Sequence, residues 1–240
     1  MTLFKFINHL KSGGEENPID QRKTVSFFFD SIKIYFPKKM DSIESSDTYL
    51  DIFKFEKQEE IKSDWQTDTY ILRDKDTKNL FFAKASHYEI TKYTPTPNLT
   101  INQESNLLSK IKYPSIIKFV GFSQIDLERK NKHVMVTEYC RNGSLNSILK
   151  DKKIKINDTH KLIILFGIAS GMLYLKSNQI IFRNLNTKNI FLDDNLFPKI
   201  SGFQLAKQYD SIPYILADIE GEPIYIAPKI WENWKYSERK

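Results

Sequence analysis

The alternation of apolar and polar residues changes character near residue 50. Before this point no regular period is visible, although residues 25–36 are rich in aromatic side chains and end at Pro37, a residue that favours a stop. After it, short apolar runs separated by polar turns predict β-strands. The predicted strands are residues 53–61, 67–73, 80–85, 116–122 and 133–138.

Helical spacing predicts helices between and after these strands. Residues 102–111 place Leu108 and Ile111 on one stripe, and residues 158–177 form a long apolar helix. A short helix is predicted after Ser144, which is suited to be its N-cap. Two further brief strands are predicted at residues 190–192 and 199–201. Five strands with one helix, followed by a mainly helical part, predict a two-lobed α+β protein.

Charge and composition exclude several classes of protein. The 36 Lys+Arg are interspersed with 30 Asp+Glu, which predicts solvated loops rather than a nucleic-acid-binding stripe. The longest apolar run, residues 162–175, is shorter than the ~20 residues of a membrane helix, so no membrane span is expected. The single Cys140 cannot form an internal disulfide, which favours a reducing, cytoplasmic location.

Glycine is scarce and unevenly placed. The chain has 8 glycines in 240 residues, and none lies between Gly14 and Gly121. A phosphate-binding loop needs glycine so that backbone amides can approach the phosphates without side-chain obstruction. A glycine-rich loop is therefore excluded from this stretch.

Five segments in order and in register resemble the protein kinase family, most closely its tyrosine-kinase-like group. The strongest, residues 180–207, reads IIFRNLNTKNIFLDDNLFPKISGFQLAK and is similar to a catalytic loop followed by the start of an activation segment. The others are FFAKAS, ESNLLSKIKYPSIIKFVGF, VTEYCRNGSL and GEPIYIAPKIW. The resemblance covers residues 53–240. It implies a two-lobed kinase-like fold, with a five-stranded antiparallel N-lobe containing one helix and a partial helical C-lobe.

The resemblance also implies boundaries and a nucleotide site. Residues 1–50 would be an N-terminal extension, residues 51–139 the N-lobe and residues 140–240 a partial C-lobe that ends after the activation segment. Lys84 matches the strand lysine that contacts the phosphates, and Glu104 matches the helix glutamate that pairs with it. The other implied pocket residues are Ala83 and Thr69 in the roof, Phe191 in the floor, Thr137 at the back, and Glu138 and Cys140 in the hinge.

Two features of this implied pocket disfavour ATP. The three glycine positions of the family's phosphate loop hold Lys62, Asp64 and Thr67. Asp64 would place a negative charge beside a polyanion. Phe191 either fills part of the adenine space or packs downward into the core.

The catalytic residues depart from the family pattern. Asn184 stands at the position of the catalytic Asp, and an amide cannot act as a carboxylate base at neutral pH. Asn186 replaces the loop lysine. Asn189 matches the metal-binding Asn, but Gly202 replaces the metal-binding Asp, so magnesium is not expected. Loss of a base costs ~10²–10⁴ in rate, and loss of metal stabilisation adds several kcal/mol to the barrier. The departures therefore predict a catalytically inactive, pseudokinase-like member.

Other family positions suggest packing and regulation. The resemblance aligns four apolar side chains between the lobes, which would hold the lobes assembled without phosphorylation. They are Phe119, Leu108, Phe203 and Phe182. In the implied activation segment, residues 202–228, phosphorylated Tyr209, Ser211, Tyr214 or Tyr225 would pair with Arg183.

Three functions follow from these observations. The first is a non-catalytic signalling scaffold or allosteric partner, favoured by Asn184 and Gly202. The second is an active ATP-dependent Ser/Thr or Tyr kinase with atypical residues, favoured by Lys84, Glu104 and Asn189. The third is a truncated remnant without function.

In the family a central C-lobe helix would begin near Lys240, so we expect an exposed apolar face on the helix at 158–177 that binds a protein partner. Its residues are Leu162, Ile163, Leu165, Phe166, Ile168 and Leu173.

Overall fold

The computed structural model describes residues 49–63, 66–90, 97–151 and 156–209. Within these ranges the first lobe contains a five-stranded antiparallel sheet with strand order β1-β2-β3-β5-β4. Its strands are β1 (Phe55–Ser63), β2 (Thr67–Asp74), β3 (Leu80–Glu89), β4 (Phe119–Ser123) and β5 (Lys132–Glu138). A 3-10 turn, Ile52–Lys54, precedes β1.

One face of this sheet forms an apolar core, and strand alternation decides which side chains enter it. On β3, Ala83 and Ala85 are buried in the core, while Phe82 and Lys84 lie on the other face. The core residues are Ile52, Phe55, Tyr70, Leu72, Ala83, Ala85, Val134 and Val136. The opposite face of β3 is therefore the one available to a ligand.

Helix α1 (Pro97–Leu108) packs on β3 and β5 and contacts a 3-10 turn at Phe203–Leu205. It begins five residues before the predicted start at residue 102. The physical reason is that proline is well tolerated in the first turn of a helix, where its missing N–H has no intrahelical partner. Ile101 and Leu108 are each 1% exposed and anchor the helix.

The apolar run predicted as one strand at 116–122 is divided between the two lobes. Only its end belongs to β4, because Ile116 forms a parallel bridge with Ile200 of the second lobe. The N–H of Ile117 donates to the carbonyl of Ile200 at 2.9 Å, and the N–H of Ile200 donates to the carbonyl of Ser115 at 2.8 Å. This pairing fixes the sheet lobe to the second lobe.

The described part of the second lobe contains helices and short strand pairs. The helices are α2 (Leu145–Lys150) and α3 (Asp158–Ser177), and the strands are β6 (Ile180–Ile181), β7 (Ile190–Leu192), β8 (Pro198–Ile200) and β9 (Lys207–Gln208). Strand β6 pairs with β9, and β7 pairs with β8. Helix α3 has the predicted bounds, and Asn157 caps it by accepting the N–H of His160 at 2.8 Å. Across the described ranges, none of the helices combines the length and apolar character needed to cross a membrane.

Two glycines let α3 approach β8 closely. A Cβ at Gly167 would lie 2.3 Å from Cγ of Pro198, and a Cβ at Gly171 would lie 2.7 Å from Cδ1 of Ile200. Both distances are shorter than real Cβ contacts, so larger residues would push the helix away. This packing holds the β7–β8 hairpin that carries one wall of the cleft described below.

The two lobes together give the predicted two-lobed α+β architecture: an antiparallel sheet with one helix, followed by a mainly helical part.

Candidate functional site

A cleft of about 910 Å³ lies between the sheet lobe and the helical lobe. One wall is formed by β1, β2, β3, β5 and α1, and the other by the loop before β7, by β7 itself and by Ser201, Gly202 and Gln204. Most of the predicted site residues line it: Lys84, Glu104, Thr137, Glu138, Cys140, Asn184, Asn189, Phe191 and Gly202. The structure therefore brings together residues that are up to 118 positions apart in the sequence (202 − 84).

The carboxylate of Glu104 connects three elements at this cleft. Its Oε2 accepts a hydrogen bond from Nζ of Lys84 at 3.0 Å, which is an ion pair between α1 and β3. Its Oε1 accepts the backbone N–H of Phe203 at 2.8 Å. Because Glu104 is only 3% exposed, these two donors supply the hydrogen bonds that water provides to an exposed carboxylate. The pairing of Lys84 with Glu104 was expected, whereas the bond to Phe203 was not.

A hydrogen bond joins the side chain of Asn184 to the backbone of Gly202. Nδ2 of Asn184 donates to the carbonyl of Gly202 at 2.8 Å, and Nδ2 of Asn189 donates to the carbonyl of Asn184 at 2.9 Å. Gly202 has φ of +82°, a conformation that strains residues with a Cβ. A Cβ there would lie 2.8 Å from Cγ of Asn189. The side chain of Asn189 thus occupies the space beside Gly202.

Asn186 stabilises the same loop through hydrogen bonds to other residues of the loop. Its Nδ2 lies 3.2 Å from both the carbonyl and Oδ1 of Asn184, and its Oδ1 accepts the N–H groups of Lys188 and Asn189. Asn186 is 8% exposed. It therefore supports the loop conformation, and its amide carries no charge that could contact a phosphate.

The oxygen donors beside Gly202 do not fit a magnesium ion. Magnesium prefers octahedral oxygen coordination and is usually held through one or two carboxylates. Gly202 supplies no side-chain donor, and the amide nitrogen of Asn184 is directed at the carbonyl of Gly202. Across the described ranges, no group of three or more His, Cys, Asp or Glu side chains is placed to hold a metal ion. Of the two metal-binding positions that the resemblance implies, Asn189 keeps a side-chain oxygen and Gly202 has none.

Ala83 does not line the cleft, so its predicted place in the roof is wrong. It is fully buried on the opposite face of the sheet, in the core. Because residues two apart on a strand share a face, Phe82 lies on the side of Lys84 and lines the cleft instead. Strand alternation counted from Lys84 was the signal that could have identified Phe82.

Phe191 lies in the cleft wall rather than in the core. Its neighbours on β7, Ile190 and Leu192, are 2% and 0% exposed, whereas Phe191 is only partly buried and lines the cleft. Thr69 and the buried Thr137 line the same cleft from β2 and β5. Phe191 therefore adds an aromatic ring to the lining of the cleft.

The end of β5 is held to the second lobe by a carboxylate. Oε1 of Glu138 accepts the N–H of Lys118 at 2.7 Å and lies 3.3 Å from Nζ of Lys199. Two residues further, Cys140 is buried, and burial raises the pKa of its thiol to about 12. The thiol is therefore protonated near neutral pH and is a poor nucleophile.

Phe182 and Phe203 are in contact, as two members of the predicted stack. Their ring centroids are 4.9 Å apart with an interplanar angle of 59°, and each is 1% exposed. Leu108 is also 1% exposed, while Phe119 is partly buried in β4. The rings join the loop after β6 to the turn that contacts α1.

The predicted activation-segment residues are only partly described. Nε of Arg183 donates to the carbonyl of Leu205 at 2.7 Å. Tyr209 is 4% exposed, and its N–H donates to the carbonyl of Gln179 at 3.0 Å. A buried Tyr209 is not accessible to a modifying enzyme in this conformation. Ser211, Tyr214 and Tyr225 lie outside the described residues.

The known proteins to which this chain is similar are protein kinases. The model of the family described as protein tyrosine and serine/threonine kinase matches residues 82–240. The chain is 34% identical over 140 residues to the RGS domain-containing serine/threonine-protein kinase A of Dictyostelium discoideum, covering 57% of this chain and 12% of that protein. It is 30% identical over 142 residues to the brassinosteroid LRR receptor kinase of Solanum lycopersicum, covering 56% of this chain and 11% of that protein.

A further relative is the serine/threonine-protein kinase Nek3 of Mus musculus. The chain is 29% identical to it over 141 residues, which cover 58% of this chain and 27% of that protein. The matched segment therefore spans between 11% and 27% of the length of these three relatives.

Proposed function

Because this chain belongs to the protein tyrosine and serine/threonine kinase family, we propose that it is a kinase-like signalling module that does not transfer phosphate. It acts as a scaffold or an allosteric partner, in the cytoplasm, and belongs to the tyrosine-kinase-like group. In this proposal residues 1–50 form an extension, residues 51–139 the N-lobe and residues 140–240 a partial C-lobe.

The observation that carries the proposal is the hydrogen bond between Asn184 and Gly202. The family has a carboxylate base at the first position and a metal-binding carboxylate at the second. Here an amide nitrogen donates to a backbone carbonyl at 2.8 Å, and neither residue carries a negative charge. A neutral amide cannot accept the proton of a substrate hydroxyl at neutral pH.

The size of the expected decrease in catalytic rate supports the proposal that the protein transfers no phosphate. Loss of a general base costs ~10²–10⁴ in rate, and loss of metal stabilisation adds several kcal/mol to the barrier. The two effects are not strictly additive. Starting from the ~1–100 s⁻¹ of an ordinary kinase, either loss alone brings turnover down by orders of magnitude.

Transfer of labelled γ-phosphate from ATP tests the proposal. We expect the wild type to label neither itself nor a generic protein substrate above the level of the Lys84→Met variant, with magnesium or with manganese. Lys84→Met is the matched control because it removes the ammonium that the family uses on the phosphates. Labelling by the wild type that Lys84→Met abolishes would reject the proposal.

An active kinase with atypical residues is the second candidate. It is supported by the 3.0 Å ion pair between Lys84 and Glu104 and by the 2.8 Å bond from Phe203 to Glu104, because these contacts assemble the lobes around the cleft. The same contacts stabilise the fold without any ligand. They therefore support the second candidate less than Asn184 and Gly202 support the first.

A protein partner is supported by the apolar side of α3. Leu165 and Leu173 are exposed, at 51% and 44%. The other expected members, Leu162, Ile163, Phe166 and Ile168, are partly buried. A fluorescent dye specific for apolar surface should bind the native protein, and the Leu165→Ser, Leu173→Ser double variant should bind less. Equal and negligible binding by both proteins would argue against this surface.

A further inference from the structure

We propose that Asn184 is a positioning residue, whose side-chain amide holds the turn at residues 201–203 in one conformation when no ligand is bound. The turn carries Phe203, whose N–H reaches the carboxylate of Glu104 in α1. The conformation of the turn therefore decides whether this link between the lobes is made. The inference goes beyond the proposed function, because a protein that transfers no phosphate does not need a fixed turn.

Three consecutive residues of the turn are each held by a hydrogen bond of 2.8 Å. The bonds run from the N–H of Ser201 to the carbonyl of Asn189, from Nδ2 of Asn184 to the carbonyl of Gly202, and from the N–H of Phe203 to Oε1 of Glu104. The first two partners belong to the loop before β7, and the third belongs to α1. Because successive residues are bonded to two separate elements, the turn has to break several of these bonds together to change its conformation.

The orientation of the Asn184 amide is set by its own loop. Its Oδ1 accepts Nδ2 of Asn186 at 3.2 Å, while its Nδ2 donates to the carbonyl of Gly202. The reverse orientation would place oxygen against oxygen on one side and nitrogen against nitrogen on the other. Asn186 is 8% exposed, and its Oδ1 is in turn fixed by two backbone N–H groups of the loop. We call the contacts of Asn184, Asn186 and Asn189 with each other and with the turn the amide clasp.

The amide clasp depends on the two residues that depart from the family pattern. An ionised aspartate at position 184, as in the family, has oxygen acceptors only and could not donate to the carbonyl of Gly202. At position 202 a Cβ would lie 2.8 Å from Cγ of Asn189, so glycine makes room for that side chain. The Nδ2 of Asn189 donates to the carbonyl of Asn184 at 2.9 Å. The two departures therefore fit each other within one arrangement.

The bonds of the amide clasp join neutral groups of the protein to one another. Asn184 donates to a backbone carbonyl and accepts from an amide, so neither of its polar atoms needs a metal ion or a phosphate as a partner. The same arrangement keeps the ring of Phe203 at 4.9 Å from the ring of Phe182. We therefore expect the turn to keep this conformation in the protein without ligands, as suits a scaffold that presents one constant surface.

Hydrogen–deuterium exchange followed by NMR tests the inference on the purified full chain, in buffer with EDTA and without nucleotide. The reporters are the N–H groups of Ser201 and Phe203. The reference is the N–H of Ile200 in β8, which donates to the carbonyl of Ser115 at 2.8 Å. We expect both reporters to be protected by at least about a hundredfold relative to an unstructured peptide. Reporters that are unprotected, or that become protected only after magnesium and ATP are added, would overturn the inference.

An isosteric substitution isolates the contribution of the Asn184 amide. Asn184→Asp, which restores the residue of the family, should speed exchange at both reporters by roughly tenfold relative to Ile200, because it removes the donor to Gly202. The matched control is Asn142→Asp, which removes a similar bond from Nδ2 of Asn142 to a backbone carbonyl at 2.6 Å and should leave both reporters unchanged.

Two results of this comparison would contradict the role of Asn184. One is exchange in Asn184→Asp at the wild-type rate, and the other is equal acceleration by Asn184→Asp and Asn142→Asp. If Asn184→Asp fails to fold by circular dichroism, Asn184→Ala takes its place, because it removes the same donor without adding a charge.

The exchange rates decide this inference whether or not the wild type transfers labelled phosphate. Unprotected reporters in a protein that transfers no phosphate reject the amide clasp alone. Protected reporters in a protein that transfers phosphate reject the proposed function alone.

Discussion

Glu104 and Phe203 are joined across the cleft by a 2.8 Å hydrogen bond, in which the backbone N–H of Phe203 donates to the buried carboxylate. The other oxygen of Glu104 holds Lys84 at 3.0 Å. One side chain thus ties α1, β3 and the turn at Phe203–Leu205 together. The contact with Phe203 links the sheet lobe to the second lobe, and the contact with Lys84 fixes α1 to the sheet.

Glu104→Ala should lower the free energy of unfolding by roughly 1–3 kcal/mol, because it leaves Lys84 and the N–H of Phe203 without their acceptor. The matched control is Glu128→Ala, which removes an exposed ion pair with Lys130 and should change stability little. Urea denaturation of both variants measures the difference. Equal effects of the two substitutions would show that the Glu104 contacts do not hold the fold.

Phe182→Ala should destabilise the protein by about 3–5 kcal/mol, because it empties a fully buried site against Phe203. Phe197→Ala, at a residue 42% exposed, serves as the control and should cost far less. Thermal unfolding followed by circular dichroism checks both. A Phe182→Ala protein as stable as the control would contradict the role of the aromatic contact in coupling the lobes.

Gly167→Ala should destabilise the fold more than Gly171→Ala. Each gains about 1 kcal/mol of helix propensity, but overpacking typically costs about 1–3 kcal/mol. The Cβ at 167 meets the rigid ring of Pro198 at 2.3 Å, whereas the Cβ at 171 meets the terminal methyl of Ile200, which can move. Free energies of unfolding of the two variants provide the test, and the reverse order would show that α3 does not depend on close contact with β8.

Acid should weaken the sheet lobe through His133. This side chain is buried and stacks on Phe122 with centroids 5.1 Å apart, and its Nδ1 has no hydrogen-bond partner among the described residues. Burial lowers the pKa of His133 below its usual value of 6.5. The unfolded chain therefore binds the proton first as pH falls, so stability is fully present above pH 6.5 and decreases below it.

The measurement compares wild type with His133→Phe between pH 8 and pH 5. The variant cannot take up the proton, so the free energy of unfolding of the wild type, minus that of the variant, should fall as pH drops below 6.5. A difference that stays constant over this range would mean that His133 does not titrate differently in the folded and unfolded states.

Local patterns in the sequence were enough to predict much of the fold. Helix α3 has its predicted bounds because a long apolar run follows the capping residue Asn157. Strand β7 has its predicted bounds because it is a short apolar run between polar residues. Strands β6 and β9, of two residues each, were not predicted, since they exist only through their pairing with each other. The division of residues 116–122 between two lobes is likewise a long-range effect.

The candidate site was only partly predictable for a related reason. Position in the motif was enough to identify Lys84, Glu104, Asn184 and Gly202. It could not show that Asn184 bonds to Gly202, because that contact depends on the φ of +82° at residue 202 and on the packing of two separate loops. Ala83 was assigned to the roof by the family resemblance, whereas the alternation of β3 places Phe82 in the cleft.

The most direct test is a single-turnover measurement of phosphate transfer, with the protein in excess over labelled ATP and with Asn184→Ala measured alongside. Asn184 and Gly202 lack the base and the metal ligand that the reaction needs, so we expect no burst of labelled product and the same background rate for both proteins. A wild-type burst that is lost in Asn184→Ala would show that Asn184 supports catalysis and would contradict the proposal that this kinase-like protein transfers no phosphate.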